Sequence, residues 1–372
     1  MNYMKKMTKM KQEQTKQHKR HGEIVFEEKP QEFRLDLKDK KILTVLAKNS
    51  RTPLTSIGRM VGLSQENVLY RMKRLEQQHV IIDYFTAIDS RKLGILSFAA
   101  FIKFSKISRE KQEKLIQSFL KNPHISWITT TAGQFDLMLF IQAMNVYEFE
   151  NEWLKITKEH STNFSQIDIG IMTLYGHSPS YYPVKDTKEA MELKLRQLPY
   201  EKEFNHVQQS QDNTFDTTDI RILQQLLVNS RMKLTELGKI LHMSSQNIDV
   251  RIKRLITEGI ITLFGYRPNY QKLHFQYYTL RLRVSSHDET KKQKLQHYLF
   301  TLPQTLFYFR MIGRWTYSIH MFYKDVRELN EFLMELREHF GDIIESYDST
   351  IHLDQYYYSY ISRSSAASLL KK

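Results

Sequence analysis

Apolar positions along this chain switch between helical spacing and strict alternation, and they do so in the same order in both halves. Val68, Met72 and Leu75 fall at i, i+4, i+7, as do Ile248, Ile252 and Leu255, which is the spacing of one buried helical stripe. Ser64 and Ser244 precede these stripes where a hydroxyl can accept from the unpaired amides of a first turn. Ahead of the first stripe, Asp36 to Lys48 predicts a helix with Ile42, Leu43 and Leu46 apolar. Asn49-Ser50-Arg51-Thr52 breaks it, Pro53 starts a short helix through Ile57 and Val61, and Gly62-Leu63 makes a turn. The second half repeats the plan with Asp216 to Val228, Leu234 to Leu241, and His242-Met243 in place of Gly62-Leu63. Three short helices with a tight turn before the third describe a helix-turn-helix.

Alternation follows each of these segments. Val80 to Ile88 predicts a small wing, and residues 97 to 175 read strand, helix, strand, strand, helix, strand, with a hairpin around Gly133. That order is the split βαβ of a ferredoxin-like domain. It returns from Tyr277 to Tyr357 with its hairpin around Gly313, and an offset of 180 holds without a gap from Asp36/Asp216 to Asp168/Asp348. An ungapped offset of that length indicates internal duplication. The expected fold is α+β: two tandem units, each a winged helix-turn-helix followed by a ferredoxin-like βαββαβ domain. The expected boundaries are a basic arm at 1–34, a helix-turn-helix at 35–92, a ferredoxin-like domain at 93–180, a linker at 181–214 with a helix from Thr187 to Gln197, the second helix-turn-helix at 215–272, the second ferredoxin-like domain at 273–360, and a tail at 361–372 with no assigned role.

Leu35-Asp36-Leu37-Lys38-Asp39, Asn49-Ser50-Arg51, Val61-Gly62-Leu63-Ser64 and Arg71-Met72-Lys73-Arg74-Leu75-Glu76 resemble the DNA-binding half of the Lrp/AsnC (feast/famine) transcription regulators. The resemblance implies that the ferredoxin-like part is the RAM-type domain through which that family assembles and senses amino acids. It implies double-stranded DNA as partner, an amino acid or related small metabolite as effector, and self-association through the ferredoxin-like domains. No cofactor is implied. In the family the Gly-x-x-Asp hairpin helps form the amino-acid site, and it stands here as Gly133-Gln134-Phe135-Asp136, which makes Gly133 and Asp136 the candidate effector residues.

Charge sharpens this picture. The formal net charge is +14, and the arm (9 cations, 5 anions), the first helix-turn-helix (11, 6) and the second (9, 5) hold +4, +5 and +4 of it. Basic charge confined in this way fits a nucleic-acid footprint. The candidate DNA contacts are Ser64, Gln65, Glu66, Asn67, Tyr70, Arg71, Lys73 and Arg74, with Ser244, Ser245, Gln246, Asn247, Asp249, Arg251, Lys253 and Arg254 in the second unit. The cations suit phosphates, and the residues that differ between the copies suit base edges.

Other chemistry is sparse. There is no cysteine, no glycine-rich phosphate loop and no HExxH, so thiolate metal sites and nucleotide cradling are not expected, and no metal site is assigned. Short, interrupted apolar runs and the lack of a signal-peptide core point to a cytoplasmic protein without a membrane span. An enzyme on the same fold is the competing class. Siroheme decarboxylases of heme biosynthesis also join an AsnC-like helix-turn-helix to this α+β domain, with a His-Asn-Tyr stretch before the hairpin and Asn-Leu-Trp after it. Here those places hold Thr129-Thr130-Thr131-Ala132 and Asp136-Leu137-Met138, or Phe309-Arg310-Met311-Ile312 and Thr316-Tyr317-Ser318, so a non-enzyme is expected.

Overall fold

The computed structural model describes residues 34–177, 215–285 and 288–371. The basic arm and the linker with its expected helix therefore lie outside the described residues. Each head contains three helices: α1 (Leu37–Lys48), α2 (Leu54–Val61) and α3 (Gln65–Gln77) in the first, with α6 (Thr217–Val228), α7 (Leu234–Leu241) and α8 (Ser245–Thr257) in the second. Asp36 and Asp216 cap α1 and α6 through reciprocal capping boxes with Asp39 and Asp219. The turn before α3 needs a left-handed residue, supplied by Gly62 (φ 68°), and His242 adopts the same conformation at φ 54°. Leaving one helix and entering the next at this angle sets how α3 and α8 project.

Strand β1 (Ile81–Ile88) does not form a wing within its own unit. It pairs antiparallel with β6 (Ile261–Pro268), with Tyr84 opposite Tyr266, so the expected wings are one shared two-stranded ribbon. The reason is visible in the packing. Tyr266 completes the core of the first head with Ile42, Leu46 and Val68, whereas Phe85 and Ala87 complete the second with Leu223 and Ile248. Backbone bonds repeat the exchange: Ser50 N–H donates to Phe264 O (2.8 Å) and Ser230 N–H to Tyr84 O (3.1 Å). Each head is finished by the other unit's strand.

The ferredoxin-like domains comprise β2 (Leu96–Phe104), α4 (Arg109–Lys121), β3 (Ile125–Ala132), β4 (Leu137–Ala143), α5 (Val146–His160) and β5 (Phe164–His177), then β7 (Gln276–Val284), α9 (Glu289–Thr301), β8 (Thr305–Ile312), β9 (Tyr317–Tyr323), α10 (Val326–Phe340) and β10 (Ile344–Tyr358). Their two sheets join through β5–β8 and β10–β3 into a closed barrel of order β10-β3-β4-β2-β5-β8-β9-β7. Closure leaves neither sheet with an edge strand to offer a neighbour. The interior is filled from both units by Phe101, Trp127, Phe135, Phe140, Phe307 and Phe309, each ring contributing about 1.5–3 kcal/mol on burial.

Polar groups enter this interior, mostly from the second unit. His320 and His352 are linked through Thr279 (3.0 and 2.6 Å), with Tyr277 on His320 (2.8 Å) and Thr129 on His352 (3.0 Å). The copies of these histidines in the first unit are Phe140 and Met172. Burial, then the charge of Arg281 nearby, pushes His352 down to about 3, and burial pushes His320 well below the ordinary value. Both are neutral in the folded chain, so their contribution is complete above the unfolded value near 6.5 and is lost as pH falls toward the folded value. Stability should therefore drop below pH 6 by roughly 1.4 kcal/mol per pH unit for each histidine. His352→Met should flatten that acid limb in urea titrations between pH 7 and 5; an unchanged limb would show that the histidines do not carry it.

The tail expected to have no role is structured. Residues after β10 cross to the first unit, Tyr360 and Ile361 are buried against Ile88 and Ile95, and α11 (Arg363–Leu369) packs beside β4 with Leu369 inward. The Gln142 amide anchors the crossing, donating to Tyr360 O (3.0 Å) and accepting from Ser362 N–H (2.6 Å).

Candidate DNA interface

Helices α3 and α8 bury only Val68, Met72, Leu75 and Ile248, Ile252, Leu255. Ser64 and Ser244 cap them, accepting from the Asn67 and Asn247 amides at 3.2 Å each. Gln65, Glu66, Asn67, Tyr70 and Lys73 are exposed on the first helix, as are Gln246, Asn247 and Lys253 on the second, while Ser245 and Asp249 are half-buried. Tyr70 and Val250, which occupy the same position, are 66% and 61% exposed. Asp249 forms an i, i+4 pair with Lys253 at 2.6 Å. Such a surface pair is weak and readily exchanged for other partners.

The arginines expected at phosphates also form ion pairs within their own heads. Arg71 bonds to Asp36 (2.6 Å) and Asp39 (2.8 Å), and Arg74 bonds to Asp39 (2.5 Å), whose side chain is fully buried. The second head repeats this with Arg251 and Arg254 on Asp216 and Asp219. Hydrogen bonding, led by Asp36 for Arg71 and by Asp219 for Arg251, holds both guanidinium groups above their ordinary value. Burial alone would push Asp36 up, but bonds from Arg71 and the Asp39 amide outweigh it and leave the carboxyl below its usual range. These pairs clamp the third helix of each head to its first. Sequence reasoning missed Asp39 and Asp219 as the anchors, although the matched Asp-x-x-Asp capping boxes in both copies were a signal. It also missed Lys38, whose ammonium holds the carbonyls of Val61 and Gly62 at the turn.

The heads are tied to one another by Asn49-Ser50-Arg51 and its copy. Ser50 Oγ meets Ser230 Oγ at 2.7 Å, Arg51 donates to Ser230 O and Met232 O, and Arg231 donates to Ser50 O and Thr52 O. Arg51 also lies over Phe264 and Arg231 over Tyr84, at 5.5 and 5.4 Å. Arg51→Ala should lower unfolding stability in urea by about 2 kcal/mol, the range for hydrogen bonds from a charged donor. A change under about 0.5 kcal/mol would mean that the seam is not held there.

Of the candidate effector residues, Gly133 is exposed and Asp136 half-buried. Asp136 accepts from Lys103 Nζ and the Phe104 amide, both at 2.8 Å. Thr316, its copy, accepts from the Val284 amide at 3.1 Å, so the same backbone position is capped in both units whether or not a charge is present. Gly133, at φ 146°, lies where a Cβ would sit 3.2 Å from Thr350 Oγ1, which is close approach to the opposite unit. Gly133 thus approaches the other unit, while Asp136 holds the backbone of its own.

Two capped third helices on a common ribbon, over paired ferredoxin-like domains, define a two-headed helix-turn-helix protein. A model of the AsnC-type helix-turn-helix domain matches residues 35–76, and one of the winged helix-turn-helix DNA-binding domain matches 215–262. The chain is 31% identical over 117 residues to the HTH-type transcriptional regulator FL11 of Pyrococcus furiosus, spanning 32% of this chain and 76% of that one. It is 30% identical over 118 residues to the transcriptional regulator AzlB of Bacillus subtilis, spanning 32% and 75%. The crystal structure of the siroheme decarboxylase NirDL aligns over 90% of this chain and all of that one at a TM-score of 0.56 and 14% identity, a likeness of fold. This chain belongs to the Lrp/AsnC family of DNA-binding transcription regulators and carries the family's unit twice. Among the described residues, no helix is long and apolar enough to cross a membrane.

Proposed function

We propose that one chain acts as a covalent pseudo-dimer, reading two half-sites of a single operator and regulating transcription there. The observation that carries this reading is the exchange of β1 and β6, which gives each head a wall from the other unit and makes their relative placement a property of the chain. Heads used in this way meet DNA about one helical turn apart, roughly 34 Å. Lys73 and Lys253 supply phosphate contacts, and Gln65, Glu66, Asn67 and Tyr70, with Ser245, Gln246, Asn247 and Asp249, face base edges. Arg71, Arg74, Arg251 and Arg254 serve by holding those helices in place.

Selection of bound duplexes from a random pool tests the proposal. Two half-sites separated by about 10 base pairs are expected; an enriched pool with one isolated half-site would refute it. The enzyme reading has the NirDL likeness in its favour, over nearly the whole chain. Anaerobic incubation with siroheme is expected to release no CO₂, and stoichiometric release would make the chain a decarboxylase instead.

A further inference from the structure

Between the β1–β6 ribbon and the sheet of the second unit lies a partly enclosed cavity of about 270 Å³. Its walls are mostly flat rings, among them Tyr270, Tyr277, Phe322 and Tyr358. Several are already parallel: Tyr277 lies 4.7 Å from Phe322 at 25°, and 3.9 Å from His352 at 12°. A slot of this kind favours another planar ring system, because offset stacking adds to area burial. Its size is also informative. A dry cavity of about 150 Å³ admits benzene, so this one suits one or two fused rings with a short side arm.

Among the described residues, one permanent cation lines this apolar space. Arg267 lines the cavity, its Nε donates to Asp83 Oδ1 at 3.0 Å, and its guanidinium lies 5.3 Å from the Tyr358 ring centre. That bond to Asp83 is the one hydrogen bond of its side chain among the described residues, which leaves the Nη groups for a second acceptor. A carboxylate is the acceptor that matches a guanidinium fork.

In the first unit the equivalent positions are taken up by other contacts. Arg267, Phe275 and Phe322 correspond to Ala87, Ile95 and Gln142. Ala87 and Ile95 pack in one cluster with Tyr360 and Ile361, and Gln142 is bonded to the crossing segment itself. The two units therefore differ here, one side filled and the other with a cavity.

We propose that this cavity binds a planar aromatic carboxylate, one per chain, with its ring among Tyr277, Phe322 and Tyr270 and its carboxylate on Arg267. Because one wall is the ribbon that carries both heads, occupancy changes their relative setting and with it the affinity for DNA. This coupling rests on the DNA reading proposed above, whereas the binding does not.

Calorimetry on the full chain without DNA tests the binding, using indole-3-acetate, phenylpyruvate and 4-hydroxybenzoate, with 3-methylindole as the uncharged control. At least one acid should bind at one per chain, about tenfold more tightly than the control, as expected for a charge-assisted pair. Arg267→Gln should remove that advantage and leave 3-methylindole within about twofold. Gln271→Trp, at an exposed rim position, should block acid and control alike without touching the core. The site is overturned if none of the three acids binds, if two bind per chain, or if both variants bind as the parent does. A saturating acid should then shift affinity for a selected duplex by about threefold or more, on the scale of ordinary allosteric coupling. Unaltered DNA affinity with the acid bound overturns the coupling alone, and no duplex binding under any condition marks failure of the DNA reading instead.

Discussion

Replacing Asp39 with asparagine is expected to cost about 3 kcal/mol, the low end for removing one partner of a buried ion pair. The low end applies because Arg71 and Arg74 keep partial access to water, at 22% and 35% side-chain exposure, which screens the charge left behind. The loss is local to the first head. Hydrogen exchange should accelerate across α1 and α3 while β2 to β5 stay protected, since the ferredoxin-like cores share none of these contacts. Lys73→Ala gives the opposite pattern: exchange and unfolding unchanged, DNA affinity reduced about equally for all sequences, and a salt slope shallower by about one. If Asp39→Asn left exchange in α1 and α3 unaltered, the clamp assigned to the arginines would have to be abandoned. If Lys73→Ala were destabilising, its exposed position would have been misread.

A second large effect is expected in sequence preference. Serine caps, asparagines and cations are the same in the two recognition helices, whereas Gln65/Ser245, Glu66/Gln246, Leu69/Asp249 and Tyr70/Val250 differ. These four pairs fall in the first two turns, where such a helix meets base edges. A homodimer must read two equal half-sites, but a fused pair is free of that constraint. The operator is therefore expected to have unequal halves. Changing Gln65, Glu66, Leu69 and Tyr70 together to Ser, Gln, Asp and Val should make the selected site more symmetric, with about 1–3 kcal/mol at stake for each well-made base contact. A palindromic site for the parent chain, unmoved by the exchange, would show that these positions do not specify bases.

Much of the architecture could be read from the residues because two periods and one offset carry it. The helical stripes at Val68-Met72-Leu75 and Ile248-Ile252-Leu255, and the strand-helix order of the ferredoxin-like parts, are local patterns that need no knowledge of partners. The ribbon was not legible, because alternation from Val80 to Ile88 looks the same whether a strand pairs within its unit or with its copy. The arginine clamps were hidden for a related reason: a cation on a helix face has the same letter code facing phosphate or facing Asp39. The barrel histidines carried a fainter sign. His320 and His352 sit where the first copy has Phe140 and Met172, polar residues at positions that are apolar in the other copy. Residues 363–369 gave little warning, since Leu369 was the one apolar position beyond alanine in a run of small residues.

The central claim is that one chain is a complete two-headed reader, and the mass of its complex on a duplex carrying the selected site tests this most directly. Combined with footprinting at equal concentrations, the account predicts one chain per duplex with both half-sites protected, about 10 base pairs from centre to centre. Two chains per duplex, or one chain protecting a single half-site, would contradict it.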